Sequence, residues 1–274
     1  MLINKYDILK KLTINQNNKK CFIFDLDGTI IFDKEFLSNA NNSILKKIKS
    51  VGHEVIFATG RPLRDLQTVM PTWAHDHRLV LFGGALSMEH HEVVKSAYIH
   101  KTNVLDIVKI CDAHKLYYNI DNSHKYYHPD FPHDFFYSLD KKLGIHKAHH
   151  VDQIFDNTTH KVLILDSTAE EKFKNYTSEN NLIMKIHSYD KWLDIIPCGV
   201  NKYTAVLDFV SKYHPHDVFV FGNDFNDIEL LLNFPNSILF GEIPSLQKLA
   251  KVNIKYNEYR QVNFEVLIDI ILSH

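Results

Sequence analysis

Short apolar runs punctuate both ends of the chain: CFIF at 21–24, EVIFA at 54–58, LVLF at 79–82, VFVF at 218–221 and ILF at 238–240. They are rich in Val, Ile and Phe and bounded by turn residues, the pattern of strands buried on both faces. Between them the apolar spacing becomes helical. Residues 38–50 place Ile44, Leu45 and Ile48 on one side, and 61–70 carries Pro62 early, where proline suits a helix start. Segments 202–213, 227–233, 245–252 and 262–272 also read as helices. Alternating strands and helices predict a doubly wound, mostly parallel, Rossmann-like α/β sheet.

The middle of the chain has a different rhythm. Residues 85–100 predict a hairpin turning between Glu89 and Glu92, followed by a helix at 102–114 and aromatic-rich strands KLYYNI and KYYH. After a loop marked by Pro129 and Pro132 come a strand (KVLIL), a helix at 168–180 and two more strands, LIMKIHS and KWLDII. Paired strands with intervening helices predict an α+β layer with an open antiparallel sheet. The expected organisation is therefore a core of residues 1–84 and 195–274 with an α+β domain, 85–194, inserted into it. Residues 1–19 read as a short helix or an ill-ordered arm without assigned function.

Composition narrows the function. With 274 residues, 45% hydrophobic and 23% charged, the chain is globular rather than low-complexity or disordered. Its 31 basic and 33 acidic residues give a net charge of −2, which argues against nucleic acid or an anionic membrane as partner. No run approaches the ~18 apolar residues of a membrane span, and the N-terminus lacks the apolar stretch of a signal peptide. Cys21, Cys111 and Cys198 lie far apart and form no CxxC, which points to a reducing, cytoplasmic setting. Oligomeric state leaves no mark on the sequence. Among 18 histidines, His124, His128, His133, His146, His149 and His150 cluster in the insert, but without HExxH or Cys/His pairing they read as surface residues. Tyr117, Tyr118, Tyr126 and Tyr127 read as sheet packing rather than a sugar-binding cleft.

Four segments carry chemistry. In CFIFDLDGTI a strand ends at Asp25, with Asp27 two residues on and Gly28 permitting a sharp turn. In EVIFATGRP, Thr59, Gly60 and Arg61 follow a strand and open a helix, so a hydroxyl and backbone N–H groups can converge on an anion. In DIIPCGVNKYTAV, Lys202 stands where a strand gives way to a helix. In VFVFGNDFNDIEL, Asn223, Asp224, Asn226 and Asp227 crowd another strand end, and hard oxygen ligands of this kind suit Mg²⁺. All four fall at C-terminal ends of expected parallel strands, where open α/β sheets bind ligands. KVLILDSTAEE echoes the first segment but lacks the second Asp and the Gly, so it reads as a structural strand of the insert.

The order of these segments, with the insert between the Thr and Lys motifs, resembles the haloacid dehalogenase-like phosphatases, in particular the Cof-type sugar phosphatases with a large inserted cap. The resemblance covers roughly residues 20–84 and 195–274. It implies Mg²⁺-dependent hydrolysis of a small phosphorylated metabolite, plausibly a sugar phosphate, through an aspartyl phosphate on Asp25. Asp27 would be the acid and base, while Thr59, Gly60 and Lys202 would bind phosphate. The implied metal set is Asp25, Asp27 (through its backbone carbonyl), Asn223, Asp224 and Asp227; Arg61 either assists or is structural. The family pattern G-D-x-x-N-D is replaced here by Gly222-Asn223-Asp224-Phe225-Asn226-Asp227. Asn223 thus stands where a metal-binding carboxylate is expected; either its amide oxygen ligates Mg²⁺ or Asp224 takes the role, and weaker Mg²⁺ dependence is expected. Two rival functions are a phosphomutase or phosphotransferase using the same intermediate, and a sugar-phosphate-binding regulator without turnover.

Overall fold

In the first strand, Phe22 and Phe24 enter one hydrophobic core and Cys21 and Ile23 enter another, all fully buried. A strand with two apolar faces must lie inside a sheet covered on both sides. The computed structural model describes residues 4–15, 18–32, 36–154, 158–187, 190–255 and 260–273. Its strands are β1 (Cys21–Phe24), β2 (Glu54–Ala58), β3 (Arg78–Leu81), β4 (Leu86–Glu89), β5 (Glu92–Ser96), β6 (Tyr118–Asn122) and β7 (Tyr126–Tyr127), then β8 (Thr159–Ile164), β9 (Leu182–Ile186), β10 (Leu193–Pro197), β11 (Val218–Gly222), β12 (Asn236–Phe240) and β13 (Val252–Ile254).

The first sheet has the order β13-β12-β11-β1-β2-β3-β4-β5, parallel from β13 to β3. Helices Asn39–Ser50 and Arg260–Leu272 cover one face through Ile44, Leu45, Ile48, Phe264 and Leu267. Helices Lys202–Val210 and Ile228–Asn233 cover the other through Ala205, Val206, Phe209 and Leu230. This is the doubly wound α/β architecture. β1 lies between β11 and β2, so the crossover direction reverses there and opens the crevice at the strands' carboxyl ends.

The second sheet, β7-β6-β8-β10-β9, is antiparallel. Helices Lys101–His114 and Glu170–Glu179 pack on one face, where Val104, Ile107, Cys111 and Phe173 meet Tyr118, Ile120, Val162, Ile164, Leu193 and Ile195. Its other face is turned toward the first sheet. Arg64 pairs with Asp121, Lys185 with Glu229 at 2.7 Å, and Lys161 donates to the Gly60 carbonyl at 3.1 Å.

Several expected elements fall differently. The hairpin in 85–100 belongs to the first sheet. Gly83 and Gly84, both at positive φ, turn the chain back so that β4 runs antiparallel to β3 and buries Leu86 and Met88 in the first core. At the other end β10 belongs to the second sheet, so the strands place the crossings at Ala97–Ile99 and after Pro197. The helix expected at 245–252 stops at Gln247, because Val252 and Ile254 alternate into the core as edge strand β13. Helix Asp134–Leu143 has no counterpart in the sequence reading; it is capped by His133 and buries Phe136, Leu139 and Leu143. His128 is not a surface residue. It is buried between Asp140 and the Pro129 carbonyl, with its ring 4.0 Å from that of Phe136. Tyr118 and Tyr126 are buried in packing clusters. Among the described residues no helix is long and apolar enough to cross a membrane.

Candidate active site

Asp25 leaves β1 with its amide still bonded to the Phe221 carbonyl of β11 at 2.9 Å, which carries the sheet register one residue into the crevice. The following turn is held by the Leu26 carbonyl, which accepts from the amides of Thr29, Ile30 and Ile31, and by Gly28 at φ 81°. Folding the turn back brings the Thr29 hydroxyl to Asp25 Oδ2 at 3.1 Å.

Lys202 reaches the same point from far along the chain. Asn201 caps its helix by accepting from the Thr204 amide at 2.8 Å. The Gly84 backbone presses against Asn201 so closely that a Cβ there would lie 2.4 Å from the Asn201 carbonyl oxygen. Glycine is needed for that approach and for its φ of 115°. Lys202, fully buried, puts its ammonium 2.5 Å from Asp25 Oδ1, 2.7 Å from Asp227 Oδ1 and 3.3 Å from Asn226 Oδ1. Asp227 in turn uses Oδ2 to accept from the amides of Asn223 (2.8 Å) and Asp224 (3.2 Å). Gly222 makes room, since a Cβ there would meet the Asp227 side chain at 2.6 Å.

A buried ammonium is tolerable only when paired. Burial works against the Lys202 charge, but Asp227 and Asp25 outweigh it and hold its pKa above the ordinary lysine value. For Asp25 the balance goes the other way. Burial and the Asp227 charge push its carboxyl up, against the pull of Lys202. The secure charge is thus Lys202, and the nucleophile candidate Asp25 is the group that burial and the neighbouring carboxylate work against.

Asp27 faces a different neighbour. Arg61 grips it through Nε and Nη2, both at 2.6 Å, so both carboxylate oxygens accept from one guanidinium. Arg61 is thereby tied to the segment that follows β1, while the Asp27 carboxylate stays partly open to solvent. Thr59 is buried at the end of β2, with Oγ1 accepting from the Arg61 amide at 3.1 Å. Gly60 lies next to Asn226, whose amide nitrogen would be 3.8 Å from an added Cβ.

The structure thus joins Asp25, Lys202 and Asp227 by direct bonds and sets Asp27, Thr59 and Gly60 around them. Asn223 and Asp224 contribute chiefly backbone N–H groups to Asp227, while the Asp224 side chain caps the Phe225 amide at 2.8 Å. Among the described residues no group of three or more His, Cys, Asp or Glu side chains forms a ready metal cluster. Asp227 commits its oxygens to Lys202 and two amides, and Asp25 likewise gives Oδ1 to Lys202 and Oδ2 to Thr29, though carboxylate oxygens keep further lone pairs. The candidate donors Asp25, Asn223, Asp224, Asp227 and the Asp27 carbonyl are all oxygens. This set suits a hard cation such as Mg²⁺, with Asn223 costing one negative charge. Sequence reasoning gave no role to Thr29, which closes D-x-D-G-T, or to Lys161, whose approach depends on the fold; it placed Asn226 in the oxygen cluster without its contact to Lys202.

Comparison with known proteins decides the family. Residues 22–262 match the model of the haloacid dehalogenase-like hydrolase family. The chain belongs to the haloacid dehalogenase-like hydrolases. This hydrolase is 24% identical over 252 residues to a Bacillus subtilis protein named 5-amino-6-(5-phospho-D-ribitylamino)uracil phosphatase, covering 85% of this chain and 91% of that one. Its fold is shared with a HAD/COF-like hydrolase from Plasmodium vivax (TM-score 0.79, 19% identity, 98% and 99% of the two chains covered). It is also shared with a subclass IIB sugar phosphatase (TM-score 0.73, 16% identity, 92% and 98% covered). The enzyme class expected from the four motifs, a hydrolase of this superfamily, stands.

Proposed function

We propose that this enzyme hydrolyses phosphomonoesters of small metabolites, with sugar phosphates as the best-fitting class, through an aspartyl phosphate on Asp25. The observation that carries the reading is the buried trio in which Lys202 bridges Asp25 and Asp227 at the switch point of the sheet. An ammonium in that place both fixes the nucleophile and neutralises oxygens of a phosphoryl group brought against it. Asp25 attacks phosphorus, the bond to the leaving oxygen breaks, and Asp27, released from Arg61 in its protonated form, gives that oxygen its proton. Asp27 then takes a proton from water, which attacks phosphorus and breaks the bond to Asp25 Oδ, freeing phosphate. Thr59 and the backbone N–H groups of the Gly60 turn hold the phosphoryl oxygens, and Arg61, once free of Asp27, adds a fork-shaped donor.

Asp25, the Asp27 carbonyl and Asn223 or Asp224 would hold Mg²⁺. Bound there, the cation would favour ionised Asp25 and withdraw charge from the phosphoryl group. The domain between the crossings acts as a cap in this reading, closing over the leaving group and keeping bulk water out. A panel of phosphorylated metabolites assayed with Mg²⁺ tests the proposal, with Asp25→Asn as the blank. Phosphate release by the wild type alone is expected. Equal release by both proteins, or isomerised sugar phosphate without free phosphate, contradicts it.

A further inference from the structure

The turn that follows β2 is held from both layers. Thr59 is fixed through its backbone: its amide donates to the Val80 carbonyl at 2.8 Å, and its carbonyl accepts from the Gly83 amide at 2.9 Å. The peptide plane between Gly60 and Arg61 is then gripped at both ends. Its N–H donates to Thr59 Oγ1 at 3.1 Å, and its carbonyl accepts from the Lys161 ammonium of β8, also at 3.1 Å. A trans peptide points these two groups in opposite directions, so each bond aims the other. Lys161 is itself buried and anchored. Asp194 of β10 lies 3.4 Å from its ammonium, and His187 holds Asp194 in turn at 2.9 Å.

We propose that Lys161 is a positioning residue for phosphoryl binding, acting through the Gly60–Arg61 peptide to orient the Thr59 hydroxyl. The inference rests on the phosphatase reading above and deepens it. A charged donor on the carbonyl polarises the amide and strengthens its N–H as a donor to Oγ1. A hydroxyl oxygen that accepts in this way must aim its own proton elsewhere, which leaves that proton for a phosphoryl oxygen. Lys161 touches no leaving group in this role. Its loss should therefore weaken the enzyme toward every phosphomonoester alike, and the phosphate-binding turn is fully set only while the two layers are in contact.

The test compares the wild type with Lys161→Met, Lys161→Arg and Lys185→Met, each checked for folding by thermal melting. The esters are p-nitrophenyl phosphate, glucose 6-phosphate and ribitol 5-phosphate, and orthovanadate is the inhibitor. Removing an oxyanion donor outright costs about 10²–10³ in kcat, so misaligning one predicts a fall of about tenfold in kcat/KM for Lys161→Met. The fall is the same for every ester hydrolysed, and the vanadate inhibition constant rises by a similar factor. Lys161→Arg, which keeps a charged donor, restores most of both. Lys185→Met loosens the layers away from the turn and leaves the vanadate constant unchanged. A merely structural role for Lys161 would reduce the amount of active enzyme without moving that constant. An unchanged vanadate constant in folded Lys161→Met, a fall confined to one ester, or an equal rise in Lys185→Met overturns the inference. Should Lys161→Met not fold, Lys161→Gln is judged by the same constant. A wild type that hydrolyses none of these esters defeats the phosphatase reading itself. A turning-over wild type indifferent to Lys161 defeats this inference alone.

Discussion

The two polar clusters facing the crevice are built on opposite plans. At the rim of the parallel sheet, Asp25 is placed by strand register, Asp227 by the turn after β11 whose amides it accepts from, and Lys202 arrives on a helix whose start is pressed against Gly84. That trio is complete within the first sheet and its helices. On the second sheet Asp121, Lys161 and Lys185 come from three strands, and each has a partner on the first layer, while Lys161 also pairs with Asp194 of its own sheet. The trio's contacts are thus local to one layer, while those of the second sheet's inward charges tie the two layers together.

The sharpest way to break this contrast is Asp25→Asn. Loss of a covalent nucleophile should lower kcat by about 10⁴–10⁶, measured as phosphate release. The same variant should melt no lower than the wild type near neutral pH, since burial penalises the charge that is lost while Lys202 keeps Asp227. Lys202→Met should do both kinds of damage. It leaves two buried carboxyls facing each other, an expected loss of about 3–5 kcal/mol in denaturant titration together with loss of turnover.

A pH titration sharpens the comparison at the crossing between layers. His160 is buried against Phe82 and Tyr98, donates Nδ1–H to the Ala97 carbonyl and accepts at Nε2 from Ser123. Burial pushes its pKa down from 6.5 to about 4. Below pH 6.5 the unfolded chain takes a proton that the folded one refuses. Its contribution is therefore intact above pH 6.5 and lost as pH falls toward 4, amounting to about 3 kcal/mol. Denaturation midpoints should follow that slope in the wild type and lose this component in His160→Gln. The smallest effect belongs to Lys185→Met, where the ion pair is 22% and 29% exposed and its loss should cost under about 1 kcal/mol.

What could be read from the sequence follows the same division. D-x-D-G-T, T-G-R, the lone Lys202 and G-N-D-F-N-D are local strings at strand ends, so the doubly wound sheet and its rim were legible. Edge strand β13 was not, because Val252 and Ile254 are too few to establish a period and the preceding helix masks them. Helix Asp134–Leu143 was hidden behind Pro129 and Pro132, with a histidine as its cap. Arg61 was recognised but its grip on Asp27 was not, since a side-chain fork across 34 positions leaves no trace in spacing. Lys161 and Asp194 look like ordinary charges on amphipathic strands until the two sheets are set face to face.

Covalent trapping tests the central claim most directly. Enzyme mixed with a hydrolysable phosphomonoester and Mg²⁺ is quenched in acid within one turnover, digested, and mapped by mass spectrometry. A phosphoryl group on Asp25, absent from Asp25→Asn, is the expected result. A phosphoryl group on another residue, or rapid turnover that leaves Asp25 unmodified at every quench time, would contradict the account.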